Sequence, residues 1–180
     1  PRMQMFLWDG YPYGKLKINS PAQYAGTVTS IEGAFSTANQ IRDVGPVTGD
    51  LALYKDNATG TINLGCAAAA NPTELNGKIA ILYRGSCNFV TKVKNAQNAG
   101  SIGVIVVDSV PNEIITMGGT DNTITIPAVM IMLGDGNTIV AAMATQTFNA
   151  TFKAAIDLDG DLDNGDRKTT RLNSSHTVIS

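Results

Sequence analysis

Two continuous apolar runs, Ile79–Tyr83 and Ile102–Val107, constrain what this chain can fold into more than anything else in it. Neither alternates with polar residues, so neither leaves a strand face for water. Between them, Arg84-Gly85-Ser86-Cys87 ends the first run and Asn88 supplies a helix-capping side chain. Phe89, Val93, Ala96 and Ala99 then recur at helical spacing, with Lys92, Lys94 and Gln97 assigned to the other side. Gly100 stands where a left-handed terminating residue is wanted. Strand, helix and strand with short joints predict a βαβ crossover, parallel and right-handed. The chain therefore belongs to the α/β (α+β) class.

A chain of 180 residues holds one domain, or one plus fragments. With a net charge of −2 and no basic cluster it lacks the electrostatic footprint of a nucleic-acid binder. Its longest apolar runs are of strand length, so no membrane-spanning helix is expected. It opens at Pro1 without an initiator methionine, which suggests a fragment, and a missing leader then says nothing of compartment. Cys66 and Cys87 lie either side of the first apolar strand. Such a pair stays reduced in a cytosolic protein and pairs in a secreted one. A catalytic thiol needs a histidine base, and the sole histidine, His176, lies in a doubtful tail.

Along the chain, residues 1–10 alternate like a strand, Tyr11–Gly14 carry turn chemistry, and Ile18–Ser36 have extended character. Asp43–Pro46 mark an expected boundary, followed by a strand over Val47–Tyr54 and a turn over Lys55–Gly60. Asn57-Ala58-Thr59 and Asn149-Ala150-Thr151 match the N-glycosylation sequon and hint at surface positions. Pro111–Asp121 form a loop around Met117-Gly118-Gly119, whose glycines suit a tight surface turn better than an anion cradle. Thr125-Ile126-Pro127 open a strand, Asp135 is placed to cap a helix through Ile139, Val140 and Met143, and Phe148–Ala154 alternate like a closing strand. In the run Asp157–Gly165, Asp159, Asp161 and Asp163 are hard oxygen donors suited to calcium. An EF-hand reading from Asp159 fails, with Asn164 where glycine is required and Thr170 where the bidentate glutamate belongs. A solvated acidic turn is the better account.

The central segment also carries a resemblance. Asn76-Gly77-Lys78-Ile79-Ala80, Arg84-Gly85-x-Cys87-x-Phe89 and Lys92-x-x-Asn95-Ala96-x-x-Ala99-Gly100, followed by a Val/Ile strand, are similar to the protease-associated (PA) domain. Met117-Gly118-Gly119 and Ile126-Pro127-Ala128-Val129-Met130-Ile131 resemble its later landmarks. The flanks, Pro1–Trp8 and Asp159–Gly165, look like secreted zinc metallopeptidases of the fungalysin type, in which the module is inserted within the catalytic region.

The resemblance implies a β-sandwich or open barrel built on the βαβ unit with flanking helices. It favours a Cys66–Cys87 disulfide, whose loop closure stabilises by roughly 3 kcal/mol in the chain-entropy model. It divides the chain into a flanking peptidase fragment (1–45), the PA domain (46–155), an acidic segment before an absent zinc-binding helix (156–165) and a tail (166–180). The expected function is a non-catalytic, extracellular module of a zinc metalloendopeptidase that positions protein substrate or covers the active site. Its partners are then a protein or peptide substrate and the parent's catalytic domain, with no nucleic acid and no membrane. Zinc belongs to the parent, because no His-Glu-x-x-His occurs here. No Gly-x-Ser-x-Gly elbow occurs either, so the chain itself is not expected to be an enzyme. Ile114, Met117, Gly118 and Gly119, with Met117 exposed, form the expected interaction loop. A calcium-dependent binding module and the PA domain of a subtilisin-like serine protease are the alternatives.

The tail from Asp166 onward is polar, aperiodic and similar to a translated sequencing adaptor, and is expected to add no packing. A chain ending at Gly165 should melt within about a degree of the full chain, measured by circular dichroism. A clear drop would show that the tail packs.

Overall fold

The computed structural model describes residues 15–153. The expected strand at 1–10, the turn at Tyr11–Gly14, the acidic run and the tail lie outside the described residues.

Eight strands form one mixed sheet: β1 (Leu16–Ser20), β2 (Gly26–Val28), β3 (Ser30–Glu32), β4 (Val47–Leu53), β5 (Ile79–Tyr83), β6 (Gly103–Val107), β7 (Ala128–Ile131) and β8 (Asn149–Phe152). Their spatial order is β2-β1-β8-β4-β5-β6-β7-β3. The two edge strands, β2 and β3, are separated in sequence by Thr29 alone. Chain continuity therefore brings the ends of the sheet together, and the sheet curls into an open barrel. Residues 15–45, expected to flank the module, supply three of these strands, with β1 paired to β8 and β3 to β7.

β4 turns the corner. Val47–Asp50 pair antiparallel with β8, whereas Leu51–Leu53 pair parallel with β5. Gly49 sits at this change of partner, where a Cβ would come within 2.9 Å of Ile102 Cδ1.

The helices are α1 (Ile41–Val44), α2 (Pro72–Leu75), α3 (Phe89–Asn98) and α4 (Leu133–Ala142). The predicted crossover is present as β5, α3 and β6, with Ile79–Tyr83 in parallel register against Gly103–Val107. Asn88 caps α3 through Oδ1, which accepts the Thr91 N–H at 3.0 Å, and Gly100 adopts φ 86° just past the end.

The sheet is buried on both faces because β5, β6 and β7 send alternate apolar residues each way. Ala80, Leu82, Val104, Val106 and Met130 meet α3 through Val93 and Ala96. Ile79, Ile81, Ile105, Val107 and Val129 meet Leu16, Ile18, Phe148 and Phe152 across the barrel interior, with Ile139 of α4. This two-sided burial is why the runs read as continuously apolar in the sequence.

Asp135 does not cap α4. The cap position is Met132, with no side-chain hydrogen bond, and Asp135 lies within the first turn, where its charge still complements the helix dipole. The start is set by β7 feeding directly into the helix.

Two glycines in α4 separate intrinsic propensity from packing. A Cβ on Gly136 would lie 2.2 Å from Val107 Cγ1, whereas nothing stands within 4 Å of one on Gly134. Gly134→Ala should stabilise by up to about 1 kcal/mol. Gly136→Ala should destabilise by about 1–3 kcal/mol through overpacking, despite the same gain in propensity. Urea unfolding of both variants checks the opposite signs.

Candidate functional site

The carboxyl ends of β4, β5 and β6 converge on a group of loops held by two charges that sequence pattern did not mark. The first is Asp56, just past β4. Its Oδ2 accepts the N–H groups of Leu64 and Gly65 at 2.5 and 2.8 Å, and its Oδ1 those of Cys66 and Ala67 at 2.6 and 2.8 Å. One carboxylate thereby satisfies four successive backbone donors and fixes the path of the loop.

The second is Lys92 of α3, which is completely buried. Its placement on the far side of the helix is corrected: it stands four residues before Ala96 and seven before Ala99, on their own stripe. Lys92 Nζ donates to the carbonyl oxygen of Leu64 and, at 2.7 Å, to that of Gly85, and lies 3.5 Å from Cys66 Sγ. Asn95 Nδ2 adds a bond to the Gly65 carbonyl at 3.0 Å. The loop's N–H groups thus face Asp56 and two of its carbonyls face α3. Burial pushes Lys92 down to about 8, partly offset by the Asp56 charge. Burial likewise pushes Tyr54 up to about 12, and its hydroxyl donates to the Ala67 carbonyl at 2.7 Å.

Cys66 and Cys87 are joined in a disulfide, with Cα atoms 5.7 Å apart. The bond ties this loop to the residue before the α3 cap. Ser86, beside it, is exposed at φ 62° in the left-handed region, a conformation that tertiary contacts must hold. Arg84 adds a third tether. Its Nη1 donates to Asp108 Oδ1 at 2.8 Å, and Asp108 is fully buried. The same oxygen accepts the N–H groups of Ser109 and Val110, while Asp108 Oδ2 has no partner. Glu113 stands 4.0 Å from Arg84 on the solvent side.

The expected interaction loop does not present Met117. That side chain is 1% exposed and packs in the core with Phe35 and Ile124, because a long unbranched apolar chain fills the space left over Gly33. Ile114 is partly buried against the same core, and Gly118 and Gly119 are exposed. The longest exposed stretch of this region is instead Ser109–Glu113. Val110 there and Ile62, beside the Asn63–Tyr83 backbone bond, are large apolar side chains left 38% and 46% exposed at the same end of the sheet. An exposed valine after a strand looks ordinary in sequence, so only the fold brings these two to one rim.

Asp159, Asp161 and Asp163 lie outside the described residues, among which no group of three or more His, Cys, Asp or Glu could hold a metal ion. No helix among them is long and apolar enough to cross a membrane. Of the two sequons, Asn57 lies in the turn after β4, beside exposed Ala58 and Thr59. Asn149 is in β8, between β1 and β4, with its amide donating to Asp50 at 2.8 Å.

A curled mixed sheet around a βαβ unit, with a disulfide-tied loop at the strand ends, defines an α/β module. The PA domain family model matches residues 47–139, just over half of the chain, and the chain belongs to the PA domain family. It is 43% identical over 63 residues to human ER degradation-enhancing alpha-mannosidase-like protein 3, covering 33% of this chain and 7% of that protein. It is 34% identical over 106 residues to leucine aminopeptidase 2 of Arthroderma otae, covering 58% and 20%. Over 83 residues it is 34% identical to the minor extracellular protease Vpr of Bacillus subtilis, covering 46% and 10%. Among solved structures, the aminopeptidase from Aneurinibacillus sp. strain AM-1 superposes with TM-score 0.59 at 28% identity, covering 78% of this chain and 30% of that one. The chain thus spans a minor part of the length of each of these proteins.

Lys92 makes the anchor pH-dependent. Its value is near 8 when folded and near 10.5 when unfolded, so the unfolded chain binds the extra proton between those limits. The Lys92 contribution to stability should therefore rise with pH from about 8 to about 10.5. Lys92→Met should remove that rise, as read from urea midpoints across the window.

Proposed function

We propose that this module serves a secreted zinc peptidase as a docking element for protein substrate, without chemistry of its own. The observation that carries the reading is the rim at the carboxyl ends of β5 and β6. There exposed Ile62 and Val110 flank the Arg84–Ser86 loop, and Glu113 adds charge. The loop is held in one conformation by Lys92, the disulfide and the Arg84–Asp108 pair. A rim ordered before contact loses little entropy when an extended substrate segment settles on it. In open sheets with parallel strands, ligands favour this same end.

The likeness to the bacterial aminopeptidase, over most of the described residues, favours a parent that removes residues from peptide N-termini. Zinc would then sit in the parent's catalytic domain, held by residues this chain does not contain. A fungalysin-type endopeptidase is the second reading, carried by the Asp159–Gly165 segment. The local identity to Vpr keeps a subtilisin-like parent as a third. Coding sequence beyond Gly165 separates these parents: a His-Glu-x-x-His within about ten residues supports fungalysin.

In the full-length parent, Ile62→Asp and Val110→Asp should lower kcat/KM on a long polypeptide substrate about five- to tenfold through KM, by losing apolar contact area at the rim. Activity on an aminoacyl p-nitroanilide should be unchanged. Equal losses on both substrates, or no loss on either, would refute rim docking.

A further inference from the structure

We propose that the Cys66–Cys87 bridge is a directional site of thiol–disulfide exchange, in which a dithiol partner attacks Cys87 and Cys66 departs beside Lys92. The surroundings of the two sulfurs differ in charge. Cys66 Sγ lies 3.5 Å from the Lys92 ammonium, itself buried and held by the Leu64 and Gly85 carbonyls. Cys87 precedes the Asn88 cap of α3, where the helix dipole supplies about half a charge that falls off outside the first turn. The Asn88 side chain already answers the Thr91 N–H there. A full charge in contact outweighs a partial charge at one remove, so the thiolate is more stable on Cys66.

The other ionisable groups around the bridge do not reverse this ranking. The Asp56 charge opposes a thiolate on Cys66, but its two oxygens are shared among four backbone N–H groups, whereas the Lys92 ammonium touches the sulfur itself. The Tyr54 hydroxyl is engaged by Ala67. The Arg84 guanidinium is turned to Asp108. Both cysteines are half-buried, Cys87 between exposed Ser86 and Asn88 and Cys66 between buried Gly65 and exposed Ala67, so charge and not access separates them.

The step balances as an ordinary exchange. The partner's thiolate forms a bond to Cys87 Sγ, the Cys66–Cys87 bond breaks, and its electron pair stays on Cys66 as a thiolate paired with Lys92. The partner's second thiolate then attacks its own sulfur in the mixed disulfide and releases Cys87, which takes a proton from water. The dithiol supplies both electrons and ends as a disulfide. Because the thiol of lower pKa leaves faster, Lys92 sets both the direction and the rate. Opening the bridge also gives the buried ammonium an anionic neighbour, which makes the reduced state tolerable to the core.

The test reads position and titration together. The intact protein is exposed to reduced glutathione, quenched with acid and mapped by mass spectrometry, and the glutathione adduct is expected on Cys87. In Cys87→Ser, thiolate absorbance near 240 nm should show Cys66 titrating at least a unit below the free-cysteine value of about 8.5. In Cys66→Ser, Cys87 should titrate nearer that value. Lys92→Met should raise the Cys66 value and slow reduction by dithiothreitol about tenfold. An adduct on Cys66, or Cys66 titrating at or above Cys87, overturns the proposal. Both of these readings use chains that keep Lys92, so they decide the matter even if Lys92→Met fails to fold.

Discussion

Lys92 is the interaction on which the arrangement of this module depends. Removing an ammonium from water is costly unless something replaces its hydration, and here that replacement is the Leu64 and Gly85 carbonyls, with Cys66 alongside. These groups belong to two segments far apart in sequence, the loop after β4 and the turn after β5. Solvating one charge therefore fixes two loops against one helix. Asp56 does the complementary task for the first loop, taking the donors that Lys92 cannot.

The clamp works because the sheet beneath it is rigid. β5, β6 and β7 are buried on both faces, and β4 changes partners from β8 to β5 at Asp50 and Leu51. That corner sends the chain into the Asp56 loop at the same end where β5 delivers Arg84 and β6 delivers Asp108. Three strand ends, two charges and a disulfide thus form one unit, and its ordered rim is what a docking role requires. The left-handed Ser86 backbone at that rim is consistent with such a unit, since only surrounding contacts keep a non-glycine residue there.

Much of this was legible in the residues. Continuous apolar runs around a helix-period segment have few folded solutions, so the βαβ unit, the Asn88 cap and the Gly100 terminator could be read directly. The motif set about Arg84-Gly85-x-Cys87-x-Phe89 pointed to the PA family that the comparisons establish. Lys92 and Met117 were misread for one reason. Side-chain chemistry suggested lysine for water and a glycine-flanked methionine for the surface, and each preference was overridden by a tertiary neighbour. Lys92 found carbonyls within reach, and Met117 found a cavity between Phe35 and Ile124.

The sequence by itself determined local order in the central segment: its two strands, and where the helix between them starts and stops. Those follow from periodicity and from caps a few residues away, so they need no distant partner. Tertiary structure alone decided that residues 15–45 join the sheet, that it curls, and that Ile62 and Val110 share a rim. It also decided that Asp56 and Lys92 divide one loop's hydrogen bonds between them. Those outcomes depend on contacts between segments tens of residues apart, and a periodicity read within one segment carries no information about what the fold sets against it.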